Sequence, residues 1–183
     1  GNAADFGDRV ANTEELASCS NSIRMLTMGG YVTWPTAQVN TIQYVTIATT
    51  GNASDFGDLL YVANTLAALA SPTRGVALGG YPGSTQNVIQ YVTIASTGNA
   101  TDFGDLLANR SGNTGCSDST RGITWGGGTN VIEYITIAST GNSTDFGDTS
   151  IALGAAGSCS GLTRGVIGGG DNGGRLNLME YVT

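Results

Sequence analysis

Four near-copies of one eight-residue stretch, fixed spacings between the landmarks that follow it, and alternating runs rich in β-branched residues predict an all-β fold. The architecture they predict is a β-propeller of four four-stranded blades, a single domain over residues 1–183. The copies are GNAADFGD at Gly1–Asp8, GNASDFGD at Gly51–Asp58, GNATDFGD at Gly98–Asp105 and GNSTDFGD at Gly141–Asp148. They divide the chain into units 1–50, 51–97, 98–140 and 141–183. From the Phe of DFGD to a repeat Arg is 18 residues in every unit: Phe6 to Arg24, Phe56 to Arg74, Phe103 to Arg121, Phe146 to Arg164. From the repeat Tyr to the next Phe is 12 each time, as in Tyr44 to Phe56. Only the Arg-to-Tyr interval changes, being 20, 17, 13 and 17, so insertions and deletions fall between a Gly-Gly pair and the Tyr.

Each element follows from local pattern. NTIQYVTIAT, NVIQYVTIAS and NVIEYITIAS alternate apolar and polar side chains, which predicts a strand with one buried face. TGNA or TGNS after it is a turn whose Gly and Asn tolerate positive φ. The DFGD stretch then folds back as a short strand. RGVALGG at Arg74–Gly80 and RGVIGGG at Arg164–Gly170 predict a third strand, read as the inner one because its terminal glycines suit crowding near an axis. The segment before it holds a fourth. LLYVANTLAALA could pass for helix, but LLANRSGNTGC at the same place in the third unit could not, so no helix is predicted. A four-stranded sheet of this size buries both faces only by packing on its neighbours.

Composition narrows the function. Gly is 29 of 183 but Pro only 3, and charged residues are 11%, which fits a turn-rich β protein rather than a disordered linker. Net charge is −7 with seven Arg, no Lys and no His, so no basic stripe is available for nucleic acid. The missing His and Lys exclude imidazole acid–base work, His-ligated zinc or copper and Schiff-base chemistry within this chain. No cofactor is expected, and no run of 18 apolar residues predicts membrane insertion. The chain begins with Gly rather than Met, which predicts processing, excision or a longer parent. Cys19, Cys116 and Cys159 share one repeat position, filled by Leu69 in the second unit, and read as buried, inert thiols.

An apolar run, Gly-Gly, a variable loop, a Tyr and a later aromatic resemble the kelch repeat. The pairs Gly29-Gly30, Gly79-Gly80, Gly126-Gly127 and Gly169-Gly170, with Tyr44, Tyr91, Tyr134 and Tyr181, carry the resemblance over the whole chain. Kelch repeats usually carry Trp about seven residues after that Tyr, whereas this chain carries Phe twelve after. The wording YVTIASTGNATDFGDL is similar to kelch-like repeat proteins encoded by marine phages. That resemblance implies a virion or extracellular location, with a tail-associated or adhesive role. Kelch resemblance also brings to mind copper enzymes of the galactose-oxidase kind, whose chemistry needs the His ligands this chain lacks.

The chain ends at Tyr181-Val182-Thr183 and begins at Gly1-Asn2, so its two ends interrupt one hairpin of the repeat. The preferred expectation is a ring closed by pairing of the N- and C-terminal strands. The alternative is a larger ring or a head-to-tail homo-oligomer, a structural building block assembling through its open strands. The repeat positions Asp5, Asp55, Asp102 and Asp145, with Asp8, Asp58, Asp105 and Asp148, are read as turn caps or as partners of Arg24, Arg74, Arg121 and Arg164; calcium or acid–base roles are the other readings. Asn52, Asn99, Asn109 and Asn142 head Asn-x-Ser/Thr sequons, three of them read as turn residues. Binding is placed on the unequal loops 31–43, 81–90, 128–133 and 171–180, which leave their blades at the same phase. There Tyr31, Trp34 and Tyr81 offer stacking surfaces beside Asn87, Asn130, Asp171, Asn172 and Arg175. This mixture suits a host-surface glycan or protein, bound without catalysis.

Overall fold

The computed structural model describes residues 1–33 and 37–183, which hold strands and no helix. Blade 1 begins with β1 (Ala17–Ser20) and β2 (Arg24–Met28). A small hairpin of β3 (Tyr31–Thr33) and β4 (Ala37–Gln38) follows, then β5 (Thr41–Thr46) and β6 (Ser54–Asp58). Blade 2 is β7 (Ala67–Ala70), β8 (Arg74–Leu78), β9 (Gln86–Thr93) and β10 (Thr101–Arg110). Blade 3 is β11 (Asn113–Ser117), β12 (Arg121–Gly126), β13 (Thr129–Thr136) and β14 (Thr144–Leu153). Blade 4 has three strands, β15 (Gly157–Ser160), β16 (Gly165–Gly168) and β17 (Met179–Val182). All four sheets are antiparallel and ordered by sequence, and together they form a four-bladed β-propeller.

The blade and the repeat are out of phase. Each complete blade takes three strands from one unit and its outer strand, the DFGD stretch, from the next: Tyr44 pairs with Ser54, Tyr91 with Thr101 and Tyr134 with Thr144. A register shift just after each pair sets the Phe edge-on to the Tyr, with ring centroids 5.9, 5.9 and 6.0 Å apart. The strands that meet across blades are β1, β7, β11 and β15. The inner strand is therefore the one preceding the repeat Arg, and the RGV strand, expected there, is second from the axis.

Neighbouring blades share three apolar cores. Leu26, Met28, Ile42 and Phe56 of blade 1 meet Ala77, Val92 and Ile94 of blade 2. Val76, Leu78, Ile89 and Phe103 meet Ile135 and Ile137, and Ile123, Trp125 and Ile132 meet Ile167. Blades 2 and 3 are thus buried on both faces, not on the one face that alternation alone implies, because each is sandwiched. Close approach depends on the residue after the repeat Arg. A Cβ built on Gly75 would lie 2.8 Å from Leu26 Cδ1, and on Gly122 2.6 Å from Leu69 Cδ1. On Gly165 it would lie 2.7 Å from Ile123 Cδ1. The glycine is a hole that the preceding blade fills.

The repeat arginines do not pair with the DFGD carboxylates. Their guanidinium carbons stand 4.6, 4.4, 4.8 and 4.6 Å from the ring centres of Tyr44, Tyr91, Tyr134 and Tyr181. Arg24 Nη1 then donates to the Ile94 carbonyl at 2.7 Å and Arg74 Nη1 to that of Ile137 at 2.8 Å, so each spans a seam. The turn role is seen at Asp5 and Asp145, whose Oδ1 atoms accept the N–H of Gly7 and Gly147. Asn52, Asn99 and Asn142 accept the N–H of Asp8, Asp58 and Asp105 at 2.9, 3.0 and 3.0 Å, so the sequon asparagines tie each turn to the previous unit.

Closure by the terminal strands is not formed. β17 pairs with β16 alone, and residues 1–8 form no strand. The carbonyls of Phe6 and Asp8 still accept the N–H groups of Gly51 and Ala53 at 2.7 and 2.8 Å, the same ties that Phe56 and Asp58 make to Gly98 and Ala100, so the segment keeps its repeat place on the next unit without pairing with β17. The open fourth seam allows a controlled comparison. A Cβ on Gly104 (φ +147) would sit 2.4 Å from the Gly141 carbonyl oxygen, whereas one on Gly147 (φ +138) meets nothing within 4 Å. Gly147→Ala should cost about 1 kcal/mol, the backbone strain alone. Gly104→Ala should cost at least twice that by equilibrium urea unfolding.

Candidate ligand-binding face

The unequal loops are rooted by their Gly-Gly pairs. Gly29 and Gly30 take φ values of 64° and 106°, and Gly79 and Gly80 of 66° and 110°, which turns the chain sharply out of the second strand. The second glycine donates to the next unit, Gly30 N–H to the Ala63 carbonyl at 2.8 Å and Gly80 N–H to that of Arg110 at 2.9 Å. The following residue bridges back to its own unit, Tyr31 to Glu14, Tyr81 to Asn64 and Asp171 to Gly154. Three loops that differ in sequence therefore share one anchorage.

That anchorage lies at one mouth of the central channel. Glu15, Thr65 and Ala155, with φ of 54°, 52° and 52°, occupy one repeat position with Gly112 at 67°. Their backbones form a stair: Thr65 N–H donates to Glu15 O at 2.9 Å, Gly112 N–H to Thr65 O at 2.9 Å and Ala155 N–H to Gly112 O at 3.1 Å. All four units line a cavity of about 520 Å³ here, which includes Glu15, Ser18, Ala68, Thr114 and Ser158. At the opposite mouth the serine-rich turns 20–22, 70–72, 117–119 and 160–162 surround a second cavity of about 450 Å³.

The expected binding residues divide into separate groups. Tyr31 is buried, not a free stacking surface, and its hydroxyl accepts from Gln38 Nε2 at 3.1 Å. Trp34 lies outside the described residues. Tyr81 is exposed, and its carbonyl accepts from the same Gln38 nitrogen at 2.8 Å, so Gln38 brings the loops of units 1 and 2 together. Asn87 is half-buried in β9, and Asn130 is exposed on β13. Asp171, Asn172 and Arg175 are exposed on the unit 4 loop. Asp171 and Asn172 share a shallow cavity of about 370 Å³ with Gly128 and residues 152–155.

Sequence reasoning missed Gln38, Asn64 and Glu15. Asn64 accepts from Gln38 Nε2 at 2.9 Å and donates to Glu15 Oε2 at 2.5 Å. The available signal was Gly112: a glycine at that repeat position marks the left-handed backbone that Glu15, Thr65 and Ala155 also adopt. Arg110 was missed as well. It is buried, ion-paired with Glu133, and donates to the Val131 carbonyl at 2.9 Å, propping the short third loop from below. Burial pushes its guanidinium below the usual arginine range, and Glu133 opposes that shift. The carboxylate also accepts from Ser143 Oγ and, at 2.9 Å, from Leu107 N–H. Gln90 and Gln43 make the same backbone tie, to Leu60 and Val10 at 2.7 and 3.1 Å.

No family model and no curated protein matches the chain. The chemistry of this face must therefore be judged from the side chains themselves. Exposed amides, a carboxylate, a guanidinium and one phenol can hydrogen-bond and stack on a polar ligand. The thiols suit no reaction at the seams: burial pushes Cys19 up to about 12 and Cys116 to about 11, so both stay protonated. The buried pair yields a stability test. Glu133→Gln keeps the Leu107 tie but leaves Arg110 unpaired, and should cost about 3 kcal/mol in chemical denaturation. Arg110→Leu combined with Glu133→Gln, which approximates the uncharged second unit, should recover at least half of that loss.

Proposed function

We propose that the chain is a non-enzymatic recognition propeller that binds polar surface ligands, glycans foremost, through the loops around one channel mouth. The observation that carries this reading is the anchorage just described. A scaffold that repeats its strands, turns and seams roots loops of unequal length and composition, three of them through the same backbone bridge. Surface loops positioned by a rigid frame are where binding residues concentrate. Tyr81, Asn130, Asp171, Asn172 and Arg175 supply exposed aromatic, amide and charged groups there, and the face is shallow, as a surface ligand requires. Each site would bind weakly and act through copy number on a virion or cell surface, the setting that the kelch-like resemblance supports.

A glycan array followed by titration of the best ligand tests this reading. Tyr81→Ala and Arg175→Ala should each weaken binding at least tenfold with the melting temperature unchanged, since neither side chain is buried. Absence of glycan binding, or equal binding by both variants, would sink it.

A further inference from the structure

Asn172 is the one asparagine of the chain that precedes a glycine. It sits in the unit 4 loop, between Asp171 and Arg175, which close a tight turn through a backbone bridge. Unit 2 carries a loop of the same length, and there the corresponding pair is Pro82-Gly83. Gly83 and Gly173 both take positive φ, 121° and 73°, so the two turns reverse the chain at the same place. They differ in chemistry. A proline has no side-chain amide, whereas the Asn172 amide is followed by a backbone nitrogen that no side chain shields.

Other asparagines are tied down. At Asn52, Asn99 and Asn142 the side-chain oxygen accepts the N–H of Asp8, Asp58 and Asp105. The nitrogen that follows is bonded as well: Ala53, Ala100 and Ser143 N–H donate to the carbonyls of the same three aspartates at 2.8, 2.7 and 2.9 Å. Asn64 is buried between Gln38 and Glu15. Asn172 by contrast is exposed, and its side chain bonds to no described residue. The Gly173 N–H donates to Asp171 Oδ1 at 3.0 Å, so its partner is a carboxylate, itself a base, rather than a strand carbonyl. A Cβ built on Gly173 would meet nothing within 4 Å. This openness belongs to the turn and not to the free face of blade 4. In unit 2, flanked on both sides, Gly83 and Ser84 are exposed too, and a Cβ on Gly83 likewise meets nothing within 4 Å.

We propose that Asn172 is a self-modifying site, at which the folded protein converts an amide to a carboxylate with water as the only co-reactant. The Gly173 nitrogen attacks Asn172 Cγ, and the new N–Cγ bond closes a five-membered succinimide. The Cγ–Nδ2 bond breaks, and the proton lost by the Gly173 nitrogen passes to Nδ2, which leaves as ammonia. Glycine permits the ring because its backbone can rotate into it without a Cβ clash. Water then opens the ring at either carbonyl. Opening at Cγ gives aspartate. Opening at the main-chain carbonyl gives isoaspartate, whose backbone runs through Cβ and Cγ and is one atom longer. Either product adds a negative charge beside Asp171, in the loop that also holds Arg175. The longer backbone falls inside the turn closed by those two residues and displaces one end of their bridge. The conversion needs no ligand; its effect on binding rests on the recognition reading above.

The test follows the folded chain beside a reference peptide of residues 169–176, both held in mildly alkaline buffer and mapped by mass spectrometry. The segment holding Asn172 should gain about 1 Da, at least tenfold faster than any segment holding another asparagine. Labelling by an isoaspartyl methyltransferase should place isoaspartate at the same position. Asn172→Pro, which writes the unit 2 turn into unit 4, should abolish both signals and leave the melting temperature unchanged. Conversion first at Asn52, Asn99 or Asn142 would overturn the inference. A folded chain that keeps its amide while the reference peptide loses it would overturn it equally, because the fold would then shield the site. Both readouts are made without ligand, so a glycan array without hits bears on the recognition reading alone.

Discussion

How closely two blades can approach governs this structure. A sheet of four short strands has too little interior of its own, so its stability must come from the apolar area it shares with its neighbours. That area can be shared only if one face carries holes where the other carries bulk. Gly75, Gly122 and Gly165 are those holes, and Leu26, Leu69 and Ile123 enter them. The backbone contacts around the seam, from the Gly-Gly roots to the Asn-capped turns, all require the same short separation. A side chain larger than the hole would separate these polar partners along with the apolar ones.

Two devices fix the angle and register of that approach. Arg24 and Arg74 stand over the Tyr of their own blade and reach a carbonyl of the next, so each cation is held by a ring on one side and a dipole on the other. The Asn of each turn accepts from the Asp backbone of the previous unit, which aligns the outer strands. Neither device is a carboxylate–guanidinium pair. The arrangement therefore depends little on the ionisation of surface acids, even though the chain is strongly acidic.

The fold was legible because spacing survives where sequence drifts. The 18- and 12-residue intervals located the turns, the outer strand and the loop roots, and alternation located the Tyr strands. What stayed hidden depends on partners far along the chain. The order of strands from the axis was misread because glycine marks crowding without saying which neighbour causes it. Tyr31 reads as a loop aromatic, yet it is buried and bonded to Gln38. Cys159 reads like Leu69, a buried thiol, yet it is exposed on blade 4. Arg110 occurs in one unit alone, so no repeat pattern announced its pairing with Glu133.

The phase difference between repeat and blade bears on how the chain is made. During synthesis from the N-terminus, blade 1 has no outer strand until Asp58 has left the ribosome, and blade 2 waits for residues 101–110. The nascent chain therefore always carries one unfinished sheet, whose open edge is a template for pairing with whatever strand arrives first. In an array of near-identical repeats the nearest strand is usually the right one, but strands of neighbouring ribosomes carry the same sequence.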